Sequence, residues 1–130
     1  MLVGIAIFGR QAAFAADHWQ DLFENATFKN AQGKTLPYRL LKPENPEPGR
    51  KYPLVLFLHG IGERGTNNSW QLIHGVGAFA SAENRRIYPC YVVAPQCPLT
   101  DCWVPLSSLL FQREMASRPT ESLGLALELV

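Results

Sequence analysis

The sequence predicts an α/β fold in which an antiparallel hairpin feeds a parallel sheet with helices between its strands. Three observations carry that expectation. Two mixed polar-apolar segments flank a glycine turn, two apolar runs lack any alternation, and helical spacing separates and follows those runs. Phe23 to Lys29 and Thr35 to Lys42 read as the hairpin, with Asn30-Ala31-Gln32-Gly33 between them and Gly33 supplying a positive φ. The hairpin is expected at the edge of the sheet, where Pro37 need not donate an N–H.

Pro43 to Arg50 holds three prolines and reads as an exposed connector. Leu54-Val55-Leu56-Phe57-Leu58 is apolar at every position, as in a strand buried on both faces of a parallel sheet. Cys90 to Pro95 reads as a second such strand. A loop from Gly60 to Asn68 and a helical stretch from about Val76 to Arg85 lie between them, the order of a right-handed crossover unit. Pro119 to Val130 repeats helical spacing through Leu123, Leu127 and Val130. Ser117 or Thr120 is placed to cap it and Pro119 to sit in its first turn.

Composition sets broad limits. A 130-residue chain with twelve basic and eleven acidic side chains has a net charge of +1, which gives no reason to expect nucleic acid as a partner. No apolar run reaches the roughly 18–20 residues that cross a bilayer. At the N-terminus, Leu2 to Phe8 is apolar and Ala13-Phe14-Ala15 fits a signal-peptidase site. Residues 1–16 are therefore expected to be a signal peptide and the protein to be periplasmic or secreted, with 17–130 forming a partial domain. The alternative is an apolar helix packed on that domain, because Arg10 interrupts the run. Cys90, Cys97 and Cys102 are an odd number without metal spacing, so structural thiols are expected and neither a metal nor a cofactor is. In an exported chain, Cys97 and Cys102 would be the plausible disulfide pair across Pro98 to Asp101.

The segment with chemical character is Leu58-His59-Gly60-Ile61-Gly62-Glu63-Arg64-Gly65-Thr66. A strand ends there and the backbone turns at two glycines, leaving amide N–H groups above the carboxyl edge of the sheet, where open α/β sheets bind ligands. Fixed N–H groups at such a place can stabilise the oxyanion of a tetrahedral intermediate, commonly by about 2.7–4 kcal/mol per donor.

The Leu58-His59-Gly60-Ile61-Gly62 signature resembles the α/β-hydrolase superfamily. With the hairpin, the start Tyr52-Pro53-Leu54-Val55 and the strand end Val93-Ala94-Pro95-Gln96-Cys97, it is similar to exported esterases of the polyhydroxybutyrate-depolymerase, feruloyl-esterase and dienelactone-hydrolase-like groups. That resemblance spans Phe23 to Val130 and implies the N-terminal half of the fold. It implies Ile61 as an oxyanion-hole N–H donor, with Gly60 and Gly62 setting the turn, a small ester as substrate of the full-length relative, and a scaffold role for His59. The nucleophile, acid and histidine of a serine hydrolase are not found in the expected pattern. Ser69, Ser81, Ser107, Ser108, Ser117 and Ser122 all lack the G-x-S-x-G setting, and His18, His59 and His74 do not follow a serine and an acid in order. The expectation is a truncated carboxylic-ester hydrolase domain, inactive alone, with self-association through the strand Leu54–Leu58. The alternative is a small α/β binding or assembly module.

Several features carry rival readings. Gly60 to Gly65 is also G-x-G-x-x-G after a strand, but no helix opens directly and no carboxylate ends the next strand, so dinucleotide binding is disfavoured. Glu63 and Arg64 read as a solvated surface pair, with steering of an anionic substrate as the alternative. Trp70 and Trp103 read as packing aromatics rather than the wall of an acyl pocket. His74 reads as a half-exposed structural residue rather than a base.

Overall fold

The computed structural model describes residues 18–105 and 117–130. The expected signal peptide, and Ser107 and Ser108, lie outside them. Four strands form one mixed sheet: β1 (Phe23–Lys29), β2 (Thr35–Leu41), β3 (Leu54–Leu56) and β4 (Tyr91–Pro95), in the order β1-β2-β4-β3. β1 and β2 pair antiparallel from Phe23 opposite Leu41 to Lys29 opposite Thr35. β4 pairs antiparallel with β2 and parallel with β3.

The hairpin turn is built as the sequence requires. Gly33 has φ +83°, and the Asn30 side chain accepts the N–H groups of Gln32 and Lys34. The placement of Pro37 differs from expectation, because β2 is an interior strand between β1 and β4. Pro37 is tolerated by position: its C=O accepts the Gln96 N–H, so its missing N–H falls at the very end of the β2–β4 ladder.

β4 is buried along Val92 to Pro95, as its apolar run predicts. β3 departs from the same expectation, since among the described residues it pairs on one side only, and Leu54 and Leu58 are 48% and 37% exposed. Side chains alternate across the sheet into two layers. On one face Phe23, Leu41, Val92 and Ala94 pack with Leu72, Val76 and Ala80, joined by Val55 and Phe57. On the other, Leu36 packs with Leu125 and Ala126, joined by Leu56 and Trp103.

The helical stretch between β3 and β4 is two short helices, α1 (Gly77–Ala80) and α2 (Ala82–Ile87). The break has a local cause: Ser81 is extended at ψ 141°, and its hydroxyl accepts the Asn84 N–H as an N-cap. The last helix, α3 (Glu121–Leu129), is capped by Thr120, whose hydroxyl accepts the Leu123 N–H. Pro119 therefore precedes the cap instead of occupying the first turn.

Candidate functional site

The loop from Gly60 to Asn68 leaves the carboxyl end of β3 and is fixed from below by residues that end β4. His59 is buried, its Nε2 accepts the Cys97 N–H at 3.0 Å, and its Nδ1 lies 2.6 Å from the Gly60 oxygen. Those partners define a neutral ring protonated on Nδ1, which donates to the Gly60 C=O. Burial lowers the His59 pKa below the ordinary 6.5, outweighing the raising effects of the Gly60 hydrogen bond and the nearby Glu63 charge. The Trp103 indole N–H donates to the His59 C=O at 3.0 Å and its ring meets the imidazole edge-on. His59 thus acts as a strut between the ends of β3 and β4, the scaffold role that the resemblance implies.

Above this strut the chain makes one turn of 3-10 helix, Ile61–Glu63, preceded by Gly60 at φ −73° and ψ 174°. Among the described residues no acceptor is hydrogen-bonded to the Ile61 or Gly62 N–H. Ile61 itself is 57% exposed, so these donors lie at the surface of the loop. A Cβ on Gly60 would come within 2.8 Å of Glu63 Oε2, so a side chain at residue 60 would require that carboxylate to shift.

Glu63 and Arg64 are not the solvated pair expected of them. The Glu63 side chain is only 13% exposed, its Oε1 lies 3.6 Å from His74 Nε2, and its Oε2 is buried without a hydrogen-bond partner. Arg64 ties the turn to the segment after β4. Its Nε donates to the Ile61 C=O, and its Nη1 to the Leu99 and Asp101 carbonyls and to Cys102 Sγ at 3.2 Å. Both groups shape the loop from within, because their long side chains fold back under the turn.

A buried amide network completes the frame. Gln96 accepts the Asn68 N–H at 2.6 Å and donates to the Glu63 C=O and Asn67 Oδ1. Asn68, held at φ +51°, donates to the Asn25 side chain and to the Ala26 and Tyr38 carbonyls, and its own C=O accepts Arg39 Nε. Buried Gln71 donates to Asn68 Oδ1 and the Ala94 C=O. The Gln71 Oε1 is buried without a hydrogen-bond partner among the described residues, while the other contacts of the network hold the loop in one conformation. Gln96, Asn68, Gln71 and Arg39 were not singled out by the sequence. The available signal was a glutamine directly after an apolar strand, a position where a polar side chain must find partners or cost free energy.

Asp101 joins the site to α3. Its two oxygens accept the N–H groups of Cys102 and Ser122, both at 2.8 Å, the second in the first turn of the helix. Burial opposes its charge, but the Ser122 and Cys102 hydrogen bonds prevail and hold its carboxyl below the ordinary value. All three cysteines are free, so the Cys97–Cys102 disulfide considered for an exported chain is not formed. Burial raises the thiol pKa of Cys97 and of Cys90, which favours the protonated form of both. Trp103 packs as expected, whereas Trp70 is half exposed beside Gly65. His74 is exposed, and among the described residues its side chain reaches Glu63 alone. No group of three metal-ligating side chains occurs among the described residues, and none of their helices is long and apolar enough to cross a membrane.

No protein-family model and no curated protein matches the chain. Among solved structures, the crystal structure of a thermostable esterase is similar, at 40% identity and a TM-score of 0.73. The alignment covers 85% of this chain and 29% of that one, so this chain spans less than a third of the esterase's length. The fold is that of part of an α/β-hydrolase, and the chain is similar to an esterase.

Proposed function

We propose that this chain is the oxyanion-hole portion of a carboxylic-ester hydrolase, acting on small esters together with residues outside those described. The observation that carries this reading is the union of esterase similarity with a loop whose Ile61 N–H has no acceptor among the described residues. Gly60 and Gly62 allow the close approach, and Ile61 N–H donates to the negative oxygen that develops as an ester carbonyl becomes tetrahedral. His59, Gln96 and Arg64 hold that donor in place; none of them is the base, since the neutral His59 ring already spends both nitrogens on the backbone. The chain supplies no nucleophile in this reading and is inactive alone. Incubating the full chain with p-nitrophenyl butyrate and with a fluorophosphonate probe tests it. Neither turnover nor labelling is expected, and stoichiometric labelling of one serine would overturn the assignment.

The open edge of β3 belongs to the same reading, since an apolar unpaired strand associates with other chains. Self-association through Leu54–Leu58 is the expected state of the isolated chain, visible as a dimer or larger species in light scattering. Export is proposed from Leu2 to Phe8 and Ala13-Phe14-Ala15. Mass spectrometry of the protein from a periplasmic or extracellular fraction should find a start near Ala16 or Asp17, and an intact Met1 on cytosolic protein would remove it.

A further inference from the structure

The Glu63 carboxylate lies inside the candidate oxyanion turn with one oxygen unsatisfied. Its Oε2 is buried without a hydrogen-bond partner among the described residues, 2.8 Å from where a Cβ on Gly60 would sit. That oxygen is therefore close against the Gly60 backbone, where the turn Ile61–Glu63 begins. Among the described residues no acceptor is hydrogen-bonded to the N–H of Gly60, Ile61 or Gly62. A buried carboxylate oxygen and a row of free amide donors thus share one turn. A glutamate three residues after the residue that precedes a helical turn is placed to fold back onto that residue's N–H, and Gly60 and Glu63 stand in this relation. Since a buried charge without hydrogen bonds costs free energy, that contact would be favourable, and another interaction holds the carboxylate off it.

Around Glu63 stand His59, Arg64 and His74. His59, at the end of β3, is neutral and spends both ring nitrogens on backbone groups. Arg64 directs Nε to the Ile61 C=O and Nη1 to the Leu99 and Asp101 carbonyls and Cys102 Sγ. His74, just beyond the 3-10 turn Trp70–Leu72, places Nε2 3.6 Å from Glu63 Oε1. Oε1 is also the carboxylate oxygen farther from Gly60, at 4.0 Å from the same Cβ position. Protonated His74 therefore pulls on the oxygen that leads away from the free donors.

We infer that His74 is a positioning residue of the oxyanion turn: its ion pair with Glu63 keeps the carboxylate off the turn's N–H groups and leaves them open to a substrate oxyanion. Without that pair, rotation of the Glu63 side chain carries Oε2 onto the Gly60 or Ile61 N–H, and the turn is filled by its own anion. The role toward substrate rests on the oxyanion-hole reading, whereas the competition between His74 and the turn does not.

Amide exchange in the full chain tests that competition, at about pH 5.5, where an ordinary imidazole is protonated. His74 is 76% exposed, so His74→Ala should keep the parent's circular dichroism. It should slow exchange at Gly60 or Ile61 at least tenfold, whereas loss of a merely structural contact would speed it. His74→Lys keeps a cation beside Glu63 and should exchange as the parent does. Combining His74→Ala with Glu63→Ala leaves no carboxylate to fold back and should abolish the added protection. Unchanged or faster exchange in His74→Ala, or slowed exchange that persists in the double variant, would overturn the inference. Hydrolysis of p-nitrophenyl butyrate is a separate readout, in the thermostable esterase carrying this chain in place of its matching segment. There His74→Lys should exceed His74→Ala in kcat at least tenfold, with KM little changed. Equal kcat in an active hybrid would overturn the positioning role. An inactive hybrid beside slowed exchange would count against the esterase reading and leave the His74–Glu63 competition standing.

Discussion

His59 and Cys97 are joined by a single hydrogen bond that couples the ends of two parallel strands: the His59 Nε2 accepts the Cys97 N–H at 3.0 Å. The bond requires a neutral imidazole, and burial favours one. In the unfolded chain His59 titrates near 6.5, and in the fold lower. Between those values the unfolded state binds more protons, so this contribution is complete above pH 6.5 and is lost as pH falls through the folded value. NMR titration should place the His59 pKa below 6.5. His59→Ala should cost about 1–3 kcal/mol, the penalty of an unsatisfied buried N–H, and should remove that component of the pH dependence.

Gln96 is expected to be the most sensitive residue of the loop frame. Gln96→Leu keeps the approximate volume but strands the Asn68 N–H and releases the Glu63 and Asn67 oxygens. A loss of about 1–3 kcal/mol in urea unfolding is expected. Faster amide exchange should be confined to Gly60 to Asn68. Uniform loosening of the whole sheet would show that Gln96 is a core residue only.

Gly77 opens α1 against the ring of Trp19, and a Cβ there would lie 2.9 Å from Trp19 Cζ2. Gly77→Ala should therefore destabilise the fold by about 1–3 kcal/mol despite alanine's better helix propensity. A thermal melt checks the sign. A stabilised variant would mean that the Trp19 ring gives way freely.

Asp101 restrains the start of α3 from outside the helix. Its depressed pKa gives stability that is present above the ordinary carboxyl value of 3.8 and lost as pH falls through the lower folded value. Asp101→Asn should cost at most about 1 kcal/mol, because the group is largely solvated and screened. The loss should appear as faster exchange in the first turn of α3, with β1 and β2 unaffected.

Local chemistry explains which parts of this fold were legible in the sequence. The hairpin with Gly33 at positive φ, the buried run of β4 and the Thr120 cap each depend on residues within a few positions of one another. The interior placement of Pro37 and the exposure of Leu54 and Leu58 depend on strand order, which alternation cannot encode. The break at Ser81 was hidden because its apolar flanks keep helical spacing on both sides. At the site, the glycines around Ile61 were readable as a turn. The struts beneath it, Gln96, Gln71, Asn68 and Arg39, reach the strands across 23 to 43 residues of chain, and no motif spans that distance. Glu63 and Arg64 were misread for the opposite reason: their proximity suggested a surface pair, while each in fact folds under the turn.

The central claim is that the Ile61 N–H is an oxyanion donor, and one backbone deletion tests it. Gly60 is extended at ψ 174° and Ile61 opens a 3-10 turn, so both positions suit a proline at residue 61. Ile61→Pro thus removes the N–H and keeps the loop. The measurement is p-nitrophenyl butyrate hydrolysis by the thermostable esterase carrying this chain in place of its matching segment, with and without Ile61→Pro. An active parent is expected, and a variant whose kcat is lower by about 10²–10³ with KM little changed and an unaltered melt. Equal kcat in the two folded proteins would contradict the account.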